Sequence, residues 1–110
     1  MKLDELITAL KLEVLCLSNP EKVVDGVYTG DLLSLVMSRL KSGNVWVTIM
    51  NNVNIVAVAS LTGASCVIIA ENSDVDCEVI DKASVNHVNI LRTPKSSYEI
   101  CCMLKTILDS

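Results

Sequence analysis

The sequence predicts an α/β domain with a mainly parallel sheet of about four to five strands and helices on both faces. Three observations carry this expectation. Short apolar, β-branched segments alternate with amphipathic ones from residue 23 onward. The connections between them are short. Residues 42–70 hold no charged side chain, as suits strands buried on both sheet faces. A bilayer span is the competing reading, but Asn51, Asn52, Asn54, Ser60, Thr62 and Gly63 interrupt the stretch. The 110 residues make one domain, 1–110.

Leu3, Leu6, Ile7 and Leu10 fall at helical spacing and predict an opening amphipathic helix. The segment KLEVLCL then reads as a strand, broken by Asn19 and Pro20. VVDGVYT, with Gly26 inside, reads as a second strand or bulged strand. After Thr29-Gly30-Asp31 a helix buries Leu32, Leu33, Val36, Met37 and Leu40, with Thr29 or Asp31 as its cap and Gly43 as its stop. VWVTIM is a strand, and IVAVASLTG a helix apolar nearly all round, expected to be well covered. CVIIA is a further buried strand. Ser73 and Asp76 have capping-box spacing before a helix whose inner face is Val79, Ile80 and Ala83, with Glu78 and Lys82 as an i,i+4 pair. VNILR is the last strand. Ser96 and Glu99 form a second capping box, opening a helix with the stripe Ile100, Leu104, Ile107 and Leu108.

Composition narrows the function classes. The chain is 51% hydrophobic yet has only three aromatic residues, Tyr28, Trp46 and Tyr98. Its mean hydropathy of +0.48 is high for a domain that still exposes roughly a third of its unfolded surface. A covered apolar surface follows, and a symmetric homodimer is the default expectation. The net charge of −4 and the scattered nine Lys and Arg argue against nucleic acid and against a polybasic membrane contact. MKLDELITAL carries acids and no cleavage-site pattern, so it does not read as a signal peptide, and a cytoplasmic location is expected. Five cysteines without a C-x-x-C pair predict buried free thiols rather than disulfides or a structural zinc site.

In open α/β sheets ligands bind beyond the carboxyl ends of the strands. Four loops should meet there: Thr29 to Asp31, Met50 to Asn54, Ala70 to Asp74 and Arg92 to Ser97. Each precedes a helix amino terminus, which favours an anion or another acceptor. The candidate ligand-binding residues are Thr29, Gly30, Asp31, Ser34, Thr48, Asn51, Asn52, Asn54, Glu71, Thr93, Pro94 and Ser96. Hydroxyls and amides of this kind suit a sugar, a nucleobase or a carboxylate, although any one of them is a helix cap first. Asp31, Glu71 and Asp74 would repel a phosphate unless Arg92 and Lys95 or a cation offset them. Catalysis finds little support. The single His87 precedes a strand away from these loops, and no P-loop, G-x-G-x-x-G or G-x-S-x-G motif occurs. Asp31 and Glu71 could in principle make a carboxylate pair that holds magnesium, a weak signal, and no cofactor or metal is expected.

Three segments, GVYTGDLLSLVM, VWVTIMNNVNIVAVASL and ILRTPKSSYEI, resemble the DRTGG domain family in order and over nearly the whole chain. Gly30 to Ser34 match its G-D-L-L-S run, Asn54 to Ala59 its N-I-V-A-x-A run, and Thr93-Pro94 its T-P. Members occur alone or beside CBS domains in pyrophosphatases, and the fold is similar to the amino-terminal domain of HPr kinase. The resemblance implies an α/β domain, frequent dimers, and a regulatory or binding role without an established reaction. Two departures stand out: Glu71-Asn72 where the family often has T-G-G, and Asn52-Val53 where it often has His-Pro. The leading expectation is a non-catalytic regulatory module that binds a small ligand, a nucleotide among the candidates, at the strand-end loops as a homodimer. The alternative is a protein-interaction or assembly subunit with no small-molecule ligand.

Overall fold

Alternation of apolar side chains across a twisted sheet organises this molecule. A computed structural model describes residues 1–109. Its strands are β1 (Glu13–Cys16), β2 (Gly26–Thr29), β3 (Asn44–Thr48), β4 (Cys66–Ile69) and β5 (Ile90–Arg92), in the spatial order β1-β5-β4-β3-β2. Strands β2 to β5 are parallel, in register from Thr29 opposite Val47, through Thr48 opposite Ile69, to Ile69 opposite Arg92. Strand β1 closes one edge antiparallel to β5, with a bulge between Val14 and Cys16.

The helices are α1 (Leu3–Leu10), α2 (Leu33–Arg39), α3 (Asn54–Thr62), α4 (Cys77–Val85) and α5 (Ser97–Leu108). Each step from β2 to β5 moves one strand along the sheet, and crossovers of one hand place α2, α3 and α4 on one face. That face packs Val36, Ile55, Val56, Val79 and Ala83 against Trp46, Val67, Ile69 and Ile90. The opposite face packs Leu3, Leu6 and Leu10 of α1 and Ile100 and Leu104 of α5 against Val45, Val47, Cys66, Ile68 and Leu91. Successive strand residues thus serve opposite cores, which is why β3 and β4 read as uninterrupted apolar runs. Burying each large aliphatic side chain contributes about 1.5–3 kcal/mol.

The buried Asn89 side chain spends its full hydrogen-bonding capacity. Its Nδ2 donates to the Asn19 and Ser65 carbonyls, both at 3.0 Å, and its Oδ1 accepts from the Ser18 and Asn19 amides at 2.8 and 2.9 Å. It thereby anchors the Asn19-Pro20 break, expected only as a strand end, to the amino ends of β4 and β5.

Several local expectations are corrected. Strand β2 begins at Gly26, and Val23 instead forms an isolated bridge with Lys2. Helix α3 is not covered all round: Leu61 is 75% exposed, because α3 lies on the outside of the sheet and only Ile55, Val56, Val58 and Ala59 face inward. Helix α2 ends at Arg39, and its C-cap Leu40 turns to extended backbone; Gly43, at φ +92°, shapes the entry to β3 instead. Glu78 and Lys82 form no ion pair; the i,i+4 pair is Lys105 with Asp109, at 2.8 Å. Among the thiols only Cys66 is buried, while Cys77 and Cys102 are exposed. Among the described residues no helix is long and apolar enough to cross a membrane.

Candidate functional site

Because β2 to β5 are parallel, their carboxyl ends and the four loops that follow lie along one edge. Much of that edge is tied down internally. The Asp31 side chain does not cap α2, whose N-cap is Leu32 without a side-chain bond. Its Oδ1 instead accepts from Thr48 Oγ1 at 2.7 Å and from the Ile49 amide at 3.0 Å. Thr48 is fully buried and also accepts from the Met50 amide at 3.1 Å. Asp31 therefore joins the first loop to the second, where the backbone leaving β3 would otherwise lack an acceptor. Gly30 donates its amide to the Val47 carbonyl at 3.2 Å, and its own carbonyl accepts from the Trp46 indole at 2.9 Å. Thr29 Oγ1 also donates to Val47, at 3.2 Å. Thr29-Gly30-Asp31 is thus a corner tied at three points.

The third and fourth loops are tied through the backbone. Glu71 and Asn72 adopt left-handed φ of 60° and 51°. The Glu71 amide donates to the Lys95 carbonyl and the Asn72 amide to the Thr93 carbonyl, both at 2.9 Å. Positive φ is the region that glycine takes without a Cβ clash, so both side chains sit there under strain. Ser73 and Asp76 do not form a capping box. Helix α4 starts later, at Cys77, with Asp76 as an N-cap lacking a side-chain bond. Ser73 Oγ accepts from Asn51 Nδ2 at 3.1 Å, and that amide also donates to the Asp74 carbonyl at 2.7 Å. Arg92 Nη1 donates to the Ser73 carbonyl at 3.3 Å. Ser96 is the one expected side-chain cap that forms: it accepts from the Glu99 amide at 3.1 Å while Glu99 returns a bond to the Ser96 amide at 3.2 Å. Those bonds hold the Glu99 carboxyl below the usual carboxylate range.

Two cavities open on this edge, one on each side of the sheet. One, of about 310 Å³, is lined by Asn51, Asn52, Asp74, Asp76 and Glu78. The other, of about 360 Å³, is lined by Lys11, Thr93, Pro94 and Lys95 against the apolar Leu10 and Met103. Thr29 lines a third cavity, with Cys101 and Lys105. The expected residues share the edge but divide among separate cavities. Asn52 accepts from the Asn54 amide at 3.0 Å, and Ser34 is exposed on α2. Residues that sequence reasoning left out of the candidate set are Ser73, Asp74, Asp76, Glu78, Arg92, Lys95 and Lys11. Lys11 is invisible beforehand because it reaches the edge only through the packing of α1 beside α5. Among the described residues, no three of the His, Cys, Asp and Glu side chains gather to hold a metal ion.

The layers and the parallel strand-end loops define a three-layer α/β sandwich domain. The chain belongs to the DRTGG domain family, which it matches over residues 5–107. Among solved structures it resembles the CBS and DRTGG domains of the regulatory region of Clostridium perfringens pyrophosphatase, crystallised with the activator diadenosine tetraphosphate. The likeness has a TM-score of 0.69 at 18% identity and covers 89% of this chain but 43% of that one. The chain therefore spans less than half the length of that structure, and at this identity the likeness speaks for the fold. Among curated proteins none matches the sequence.

Proposed function

We propose that this domain is a non-catalytic regulatory module, working as a homodimer, that senses a small polar ligand at the carboxyl edge of its sheet. The observation that carries the reading is the cavity between the second and third loops, lined by Asn51, Asn52, Asp74, Asp76 and Glu78. Asn51 has spent its Nδ2 on Ser73 and Asp74, which leaves Oδ1 as an acceptor. Asn52 has spent its Oδ1 on Asn54, which leaves Nδ2 as a donor. With three carboxylates beside them, these groups suit ribose hydroxyls and the amino edge of a base, and they disfavour a bare phosphate. The fold shared with a regulatory region that binds a dinucleotide activator supports a nucleotide as the ligand class.

No reaction is assigned. His87 is exposed at the amino end of β5, opposite the cavities, and among the described residues it forms no side-chain hydrogen bond to a Ser, Thr or Cys. A thermal melt with adenosine, AMP and ADP tests the reading. A ligand at a hundred times its Kd stabilises by about 2.7 kcal/mol, which raises Tm by roughly 10 °C or more in a domain of this size. Unchanged melting with all three contradicts it.

A second reading is favoured by one surface. Leu32, Leu35, Met37 and Ile49 are exposed, on α2 and the loop after β3, at the side of the sheet where β2 is the unpaired edge strand. If this face takes a different protein rather than a second copy, the module is an assembly subunit. Sedimentation at micromolar concentration separates the two: a dimer supports the first reading, and a monomer that pairs only with a copurifying protein supports the second.

A further inference from the structure

The cavity of about 360 Å³ on the α1 and α5 side differs in chemistry from its neighbour across the sheet. Lys11 and Lys95 both line it, and among the described residues neither forms an ion pair, whereas Lys2, Arg92 and Lys105 all do. Lys11 and Lys95 thus bring two positive charges to one cavity of a chain of net charge −4, and an anion held between them would meet both. Thr93, only 2% exposed, lines the same cavity. Its oxygen accepts from the Lys95 amide at 3.3 Å, which leaves its hydroxyl proton to donate. The remaining wall includes Leu10 and Met103, apolar groups that keep water from competing for the charges. Glu99, a carboxylate within electrostatic reach of Lys95, is engaged in its capping box.

From this juxtaposition we infer that Lys11, Thr93 and Lys95 form a binding site for a phosphate or carboxylate group. It rests on the reading of the strand-end edge as the ligand edge and deepens it. A ligand's sugar and base meet the carboxylate-lined cavity, and its anionic group meets this one, either in one molecule that reaches both or in two molecules.

The test is amide chemical-shift mapping of the ¹⁵N-labelled full chain titrated with inorganic phosphate, and separately with acetate, at constant ionic strength. The expected result is a saturable shift of the Lys11, Thr93 and Lys95 amides. Its apparent affinity should fall at least tenfold in the double variant Lys11→Gln/Lys95→Gln and stay unchanged in Lys41→Gln, an exposed lysine elsewhere. Saturation with phosphate alone identifies a phosphate site, and saturation with acetate as well identifies a general anion site. Shifts that rise linearly, or that persist in the double variant, overturn the assignment. Uncharged adenosine separates the two proposals. If it shifts Asn51 and Asn52 while phosphate shifts nothing, the anion site is wrong and the regulatory reading stands. If phosphate saturates and adenosine does nothing, the reverse holds.

Discussion

Asp31 Oδ1 accepts from the buried Thr48 Oγ1 at 2.7 Å, joining the turn after β2 to the loop after β3. Thr48 also accepts from the Met50 amide, so its hydroxyl serves two loops at once. Thr48→Val keeps the shape and removes both bonds. The expected loss is roughly 1–2 kcal/mol, or about 5–15 °C in Tm. Asp31→Asn keeps an acceptor and should cost less than Asp31→Ala. Equal melting of all three variants and the parent would contradict the tie.

Asn89 makes four bonds from a buried position to Ser18, Asn19 and Ser65. Asn89→Leu leaves those backbone groups unpaired, and a loss of at least about 2 kcal/mol is expected from denaturant midpoints. Asn89→Asp sets a buried carboxylate oxygen against the Asn19 and Ser65 carbonyls in place of a donor, so at pH 7 it should cost at least as much.

The left-handed Glu71 gives a prediction of the opposite sign. Glu71→Gly removes a Cβ that is strained at φ 60°, and it should stabilise the domain by up to about 1 kcal/mol despite the added freedom of the unfolded chain. Glu71→Val should destabilise it. A glycine variant that melts below the parent would show that the loop is not strained.

These positions also show what a single sequence can reveal. The layers were legible because burial on two faces leaves apolar runs at β3 and β4, and because the Ser96–Glu99 capping box is local. The ties were not. Asp31 looked like a helix cap because cap residues and loop-bridging residues share one chemistry, and only the register of β2 beside β3 sets Thr48 in its reach. Glu71 and Asn72 stood out as departures from a family pattern, but their meaning required the backbone angles. The cavity at Lys11 joins residues more than eighty positions apart, and no periodicity encodes that.

Acid stability follows from the pair between Glu13 and Arg92, whose bonds of 2.9 and 3.0 Å tie β1 to β5. Hydrogen bonding to the guanidinium holds the Glu13 carboxyl below its ordinary 4.5. A lowered folded-state value means that the stabilisation is present above pH 4.5 and is lost as pH falls below it. Glu13→Gln should therefore lower stability at pH 7, modestly because the pair is solvent-exposed, and flatten the decline below pH 4.5, as read from urea midpoints across pH. Parallel curves for parent and variant would exclude a role for this pair.

Binding of a regulatory ligand at the carboxyl edge of the sheet is best checked by amide shift mapping with AMP. Saturable shifts of Asn51, Asn52, Asp74 and Asp76 are expected, accompanied by Lys11, Thr93 and Lys95. Shifts that do not saturate, or that cluster at the amino edge around His87 and Asn89, would contradict it.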